Sequence, residues 1–153
     1  AAGGREIQAI SAWEASLVSL DRFPVTYRAL ADAEARDGRW DRAAELLEEA
    51  RSRWPDDAIL KERTLRAMAE VGRYDWVLAH ADDVIGRQAG NTGALFLAMQ
   101  AVFLSVVERP GTDVAALLPR LARYRDLYRA AAGPQQALVD EWVRYVEGTR
   151  TRK

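Results

Sequence analysis

The 153-residue sequence contains no cysteine. That excludes disulfides, cysteine–zinc sites and thiol chemistry. Histidine occurs once, as His80, so multi-histidine metal centres are excluded and a Ser–His arrangement has no spare base. Lysine is nearly missing: only Lys61 and Lys153 occur, and arginine supplies the rest of the 22 basic residues. Together with the abundance of alanine, this bias points to a GC-rich, bacterial genome. Net charge is −1, which gives no bulk attraction to nucleic acid or to an anionic membrane. The most apolar run, "GALFLAMQAVFLSVV" at 93–107, is too short for a membrane span and is interrupted by Gln100 and Ser105. It predicts a buried helix. The "GNTG" at 90–93 follows a helical pattern and lacks a Gly-Lys, so it is no phosphate loop. No leader-like segment is visible and the first residue is not methionine, so the expectation is a piece of a longer protein in an undetermined compartment.

What the sequence does have is a repeat. Gly-Arg recurs at Gly4-Arg5, Gly38-Arg39 and Gly72-Arg73, 34 residues apart each time. Small or apolar residues recur in register around it, such as Ala9, Ala43 and Val77. Fixed self-similarity at this period marks stacked supersecondary units. Each unit reads as a helical hairpin. Pro24 suits the first turn of a helix. Tyr27, Leu30 and Ala31 give it an apolar stripe at i, i+3 and i+4. Gly38 ends the helix in the left-handed conformation that glycine adopts without steric cost. Asp41 then complements the dipole of a second helix, whose apolar face is Ala43, Leu46, Leu47 and Ala50. Pro55 with Asp56 and Asp57 stops that helix and caps the next.

With Tyr27, Leu30, Ala31, Gly38, Ala43, Leu47, Ala50 and Pro55 in these places, residues 24–57 resemble a tetratricopeptide repeat. Glu34 stands where the family has an aromatic. The resemblance implies an all-α fold: about seven to eight helices in antiparallel hairpins, forming a right-handed superhelical solenoid. The expected layout is one domain over 1–153. Residues 1–23 hold the second helix of a truncated repeat, read as a segment cut inside a repeat or as an unpaired cap. Repeats follow at 24–57 and 58–91, then a divergent one at 92–132. A capping helix and basic tail occupy 133–153. In the weaker second repeat, the larger Leu65 and Val77 suggest a splayed hairpin. In the third, the turn has moved to "ERPGT" at 108–112, after a helix capped by Asn91. Pro119 either kinks the next helix or marks its start, and Gly133-Pro134 ends it. The last helix presents Leu138, Trp142 and Tyr145 on one face, and Trp13 is assigned to the core.

No residue pattern carries catalysis, and no cofactor or metal is expected. His80 reads as a half-buried helix residue. Asp82 and Asp83 point apart on a helix. Trp40, Trp54 and Trp76 lie near helix ends, either as packing between repeats or as anchors for a partner. "PRLARYRDLYR" interleaves arginine with tyrosine, a pattern that binds single strands. Its charges spread around the helix, so a solvated amphipathic face is the preferred reading and no nucleic-acid partner is expected.

Stacked hairpins line a concave groove with their first helices. Once the core positions are removed, the groove candidates are Arg28, Asp32 and Arg36, then Glu62, Arg66 and Glu70, then Phe96, Gln100 and Phe103. Arg28–Asp32 and Arg66–Glu70 are also spaced as i, i+4 ion pairs. In the resembled family such a groove binds a protein or peptide. The asparagines and lysines of its carboxylate-binding subtype are absent from these faces. The expected function is a non-catalytic interaction scaffold in a larger bacterial envelope, secretion or exopolysaccharide assembly. Two alternatives are a regulatory domain of a membrane-anchored or enzymatic polypeptide and a self-assembling module that pairs through its repeat edges.

Overall fold

In a computed structural model of the chain, the described residues are 5, 7–12, 14 and 23–150. Among them there is no strand. Arg5, residues 7–12 and Glu14 are helical, and Ile10 is buried. Trp13, Gly4 and the tail 151–153 lie outside the described residues, so those parts of the expected N-terminal helix and basic tail are not placed. Seven bounded helices follow: α1 (Pro24–Arg36), α2 (Trp40–Arg53), α3 (Ala58–Glu70), α4 (Tyr74–Arg87), α5 (Thr92–Glu108), α6 (Val114–Ala130) and α7 (Gln136–Arg150). They fall into two compact units, Ala1–Val71 and Gly72–Lys153.

In the first unit, α1 and α2 form a hairpin and α3 packs on both. Pro24 is the first helical residue of α1, as its fixed φ favours. Gly38 has φ +77°. Its N–H bonds Ala35 O at 3.0 Å and the Arg39 N–H bonds Glu34 O at 2.9 Å, which satisfies two orphan carbonyls of α1. Tyr27, Leu30, Ala31, Leu47, Ala50, Leu60, Leu65 and Met68 are all buried. Each large apolar side chain taken from water in this way contributes about 1.5–3 kcal/mol. Ala31 and Ala43 are both buried, the small pair that the hairpin needs. Asp57 caps α3 by accepting from the Leu60 N–H at 3.0 Å.

Glu34 has a physical explanation. The carboxylate is buried and pairs with the guanidinium of Arg39, which also meets Asp37. The arginine after the turn glycine thus neutralises the acid that replaces an aromatic. At the equivalent place 34 residues on stands Met68, fully buried, and Arg73 is exposed. The Gly-Arg pair is shared by the repeats; the ion pair is not.

The second unit explains the apolar run. Helix α5 packs against α4, α6 and α7, so no side of it is left to water for its whole length. Asn91 caps it through the Ala94 N–H at 3.0 Å. The turn after it lies where the sequence places it, with Gly111 at φ +89°. Helix α6 starts at Asp113, whose carboxylate accepts from the Ala116 N–H at 3.2 Å. Pro119 therefore does not mark the start of the helix, which runs on through it. The carbonyl that loses its partner belongs to Ala115, which is exposed and can bond water. Among the described residues, Ser105 Oγ in α5 is the buried side-chain polar atom with no hydrogen-bond partner. Replacing it by alanine should raise stability by about 1 kcal/mol, read from the urea midpoint; an unchanged or lower midpoint would show that the hydroxyl is satisfied.

The end of α6 departs from expectation in one detail. Ala132, not Gly133, takes the left-handed position, at φ 54°. Its N–H bonds Arg129 O at 3.0 Å and that of Gly133 bonds Tyr128 O at 2.9 Å. Gly133 is required for another reason: a Cβ there would fall inside the Tyr128 ring. The buried stripe of α7 is Val139, Trp142, Val143 and Val146, while Leu138 and Tyr145 are 37% and 43% exposed. The expected face is corrected by about one residue, because the side chains flanking Trp142 at i−3 and i+1 are valines that reach the core.

Candidate interaction surfaces

Groups of acidic residues and histidine able to hold a metal do not occur among the described residues, and no helix is long and apolar enough to cross a membrane. The His80 ring stacks on Trp76 with centroids 3.8 Å apart. Its Nδ1 lies 2.8 Å from Trp76 O. A carbonyl only accepts, so Nδ1 carries the proton. His80 and Trp76 thus bond and stack on each other along α4, and no nucleophile or metal-binding group shares their surroundings.

The arginine–tyrosine segment of α6 is anchored inside its own unit. Asp82 on α4 accepts from the Tyr124 hydroxyl at 2.6 Å and from Arg123 at 2.5 Å, with Arg120 at 3.4 Å. Arg120 also bonds Leu78 O at 2.5 Å. Burial, reinforced by the bond to Asp82, raises the Tyr124 phenol above its ordinary pKa of 10.0. The neutral form is therefore favoured by folding. That contribution is complete below pH 10 and is lost as pH rises through the elevated value. Alkaline unfolding should accompany phenolate absorbance near 295 nm, and Tyr124→Phe should remove that coupled loss. A Phe variant with the wild-type alkaline profile would contradict it.

The candidate groove residues separate into two groups. In the first unit, Arg28 is half-buried and Arg36 is exposed. Asp32 does not pair with Arg28 as the i, i+4 spacing suggests. It pairs with Arg63 on α3, tying the two first helices together. Arg66 and Glu70 do pair, at 3.3 Å. Glu62 and Arg66 are exposed. The Arg66 guanidinium also lies over the Trp40 ring, 5.8 Å from its centre. Between these helices opens a cleft of about 250 Å³, lined by Ala31, Asp32, Ala35, Trp40, Ala43, Leu47, Arg63 and Arg66. Arg63 and Trp40 are site residues that groove-face selection missed. Arg63 was hidden because the helix-face count put it beside the groove, and Trp40 because it belongs to the second helix.

In the second unit, Phe96, Gln100 and Phe103 are half-buried. Phe96 lies 5.0 Å from Trp142 and 6.4 Å from Tyr128, centre to centre. Phe103 stacks on Trp142 at 5.5 Å and meets Tyr145 edge-on at 5.4 Å. The face equivalent to the exposed Glu62 is here largely taken by α7. Trp54 has its own partner too, edge-on to Tyr27 at 5.7 Å.

The comparisons agree with the hairpin geometry of the first unit. The family model described as tetratricopeptide repeat matches residues 24–71, which contain α1, α2 and α3. No curated protein and no solved structure shows significant similarity to the chain.

Proposed function

With a tetratricopeptide repeat at residues 24–71 as the premise, we propose that the chain is a non-catalytic scaffold that holds a protein or peptide partner. The partner lies on the faces of α1 and α3 opposite their core stripes. Arg28, Asp32 and Arg36 on the first, and Glu62, Arg66 and Glu70 on the second, would contact it. The observation that supports this most is the open cleft beside Trp40, between two helices whose other faces are buried. Phe96, Gln100 and Phe103 would contribute only through the part of their surface that α7 leaves open. A place in a larger bacterial assembly of the envelope, secretion or exopolysaccharide kind is the finer form of this reading.

Affinity capture followed by titration with the purified partner tests it. Arg66→Glu should weaken binding at least ~tenfold, which corresponds to about 1.4 kcal/mol, with the melting temperature essentially unchanged. If Arg28→Glu, Glu62→Lys and Arg66→Glu all bind as the wild type does, the surface is assigned wrongly. Phe96→Ala is a poor probe of binding, since it removes a ring packed on Trp142.

A further inference from the structure

The cleft beside Trp40 has a chemistry more specific than a scaffold requires. Its inner wall is small and apolar, made by Ala31, Ala35 and Ala43, and the indole of Trp40 closes one side. At about 250 Å³ it is smaller than typical cofactor and small-molecule pockets, and it suits one or two side chains. Its charged lining is two guanidiniums, Arg63 and Arg66, against one carboxylate, Asp32. Both arginines are accessible, with side chains 40% and 61% exposed. A guanidinium carries five N–H donors. Among the described residues, Arg63 bonds only Asp32, and Arg66 bonds only Glu70, through Nε. Most donors on each remain available to a ligand. Exposed pairs of this kind are weak and exchange readily for a better acceptor.

We propose that this cleft is a socket for an acidic segment of the partner protein, with one apolar side chain seated against Trp40 and carboxylates on Arg63 and Arg66. This rests on the scaffold reading above. Charge complementarity selects the acidic class, since a basic segment would bring like charge to both arginines. Residues three apart are neighbours on one helix face, so α3 offers two cations in series. They address two carboxylates along a chain, such as successive acidic side chains, in preference to one terminal carboxylate. The flat indole and the alanine floor provide the desolvated pocket in which an apolar anchor does most of the binding.

The probe is a phage-displayed library of random peptides of about 12 residues, selected on the intact protein. Enriched sequences should place Asp or Glu next to Leu, Ile, Met or Phe. Synthetic copies should lose about tenfold in affinity on R63Q or R66Q, or when their own Glu becomes Gln. Circular dichroism should show both variants folded. The Trp40 indole N–H resonance, assigned with Trp40→Phe, should shift on binding. Enriched peptides without acidic residues, or binding indifferent to both variants, would overturn the acidic socket while leaving the scaffold standing. Binding that does not move the Trp40 resonance would place the ligand elsewhere and overturn the socket too. If no peptide is enriched, both readings fail.

Discussion

Trp142→Ala is expected to destabilise the second unit by about 3–5 kcal/mol, the range for deleting a buried large aromatic. Trp142 is 8% exposed and is the ring on which both Phe96 and Phe103 rest. Its removal leaves a void between α5 and α7 and opens two phenylalanines to water. Trp142→Phe keeps an aromatic in place and should recover more than half of the loss. Urea unfolding followed by circular dichroism at 222 nm reads both. A cost below about 1 kcal/mol for the alanine variant would mean that Val139, Val143 and Val146 hold α7 without the tryptophan.

Gly133→Ala should cost about 1–3 kcal/mol, as overpacking of a filled site does. The clash is with the Tyr128 ring, not with the backbone angle, because Gly133 is not among the glycines of positive φ. The ring cannot simply swing aside. It is buried, and its oxygen accepts from the Gln135 N–H at 3.0 Å. A double-mutant cycle separates the causes. In a Tyr128→Ala background, itself costing about 3–5 kcal/mol, the added methyl should cost only a few tenths. An unchanged cost for Gly133→Ala in that background would move the explanation from the ring to the chain reversal.

Much of the fold was legible because it is written locally. Pro24, Gly38, Gly72, Asp57 and Asn91 each act within one turn of the chain, and each sits where its chemistry predicts. The all-round apolarity of 93–107 foretold burial, but not that α7 would be one of the covers. Contacts distant in sequence were harder to read. The i, i+4 rule offered Arg28 to Asp32, yet the fold brings Arg63 closer. Glu34 stood out as a departure from the family pattern. Its meaning needed Arg39, whose side chain the turn folds back over it. The stripe of α7 was misplaced because leucine and tyrosine outrank valine in hydropathy reasoning, while packing follows position on the helix. The cleft was least legible, since its walls come from three helices and its largest surface is a tryptophan outside the expected groove.

Within each unit, the packed helix pairs are next or next-but-one along the chain. Few long loops must be closed before packing begins, so the entropic barrier to folding is small. Domains dominated by such near-neighbour contacts fold on roughly microsecond to millisecond timescales. The kinetic consequence is that each pair of adjacent helices can start the process, so lesions at opposite ends of a unit, such as Trp142→Ala and a change in α4, should act mainly on the unfolding rate while refolding stays fast.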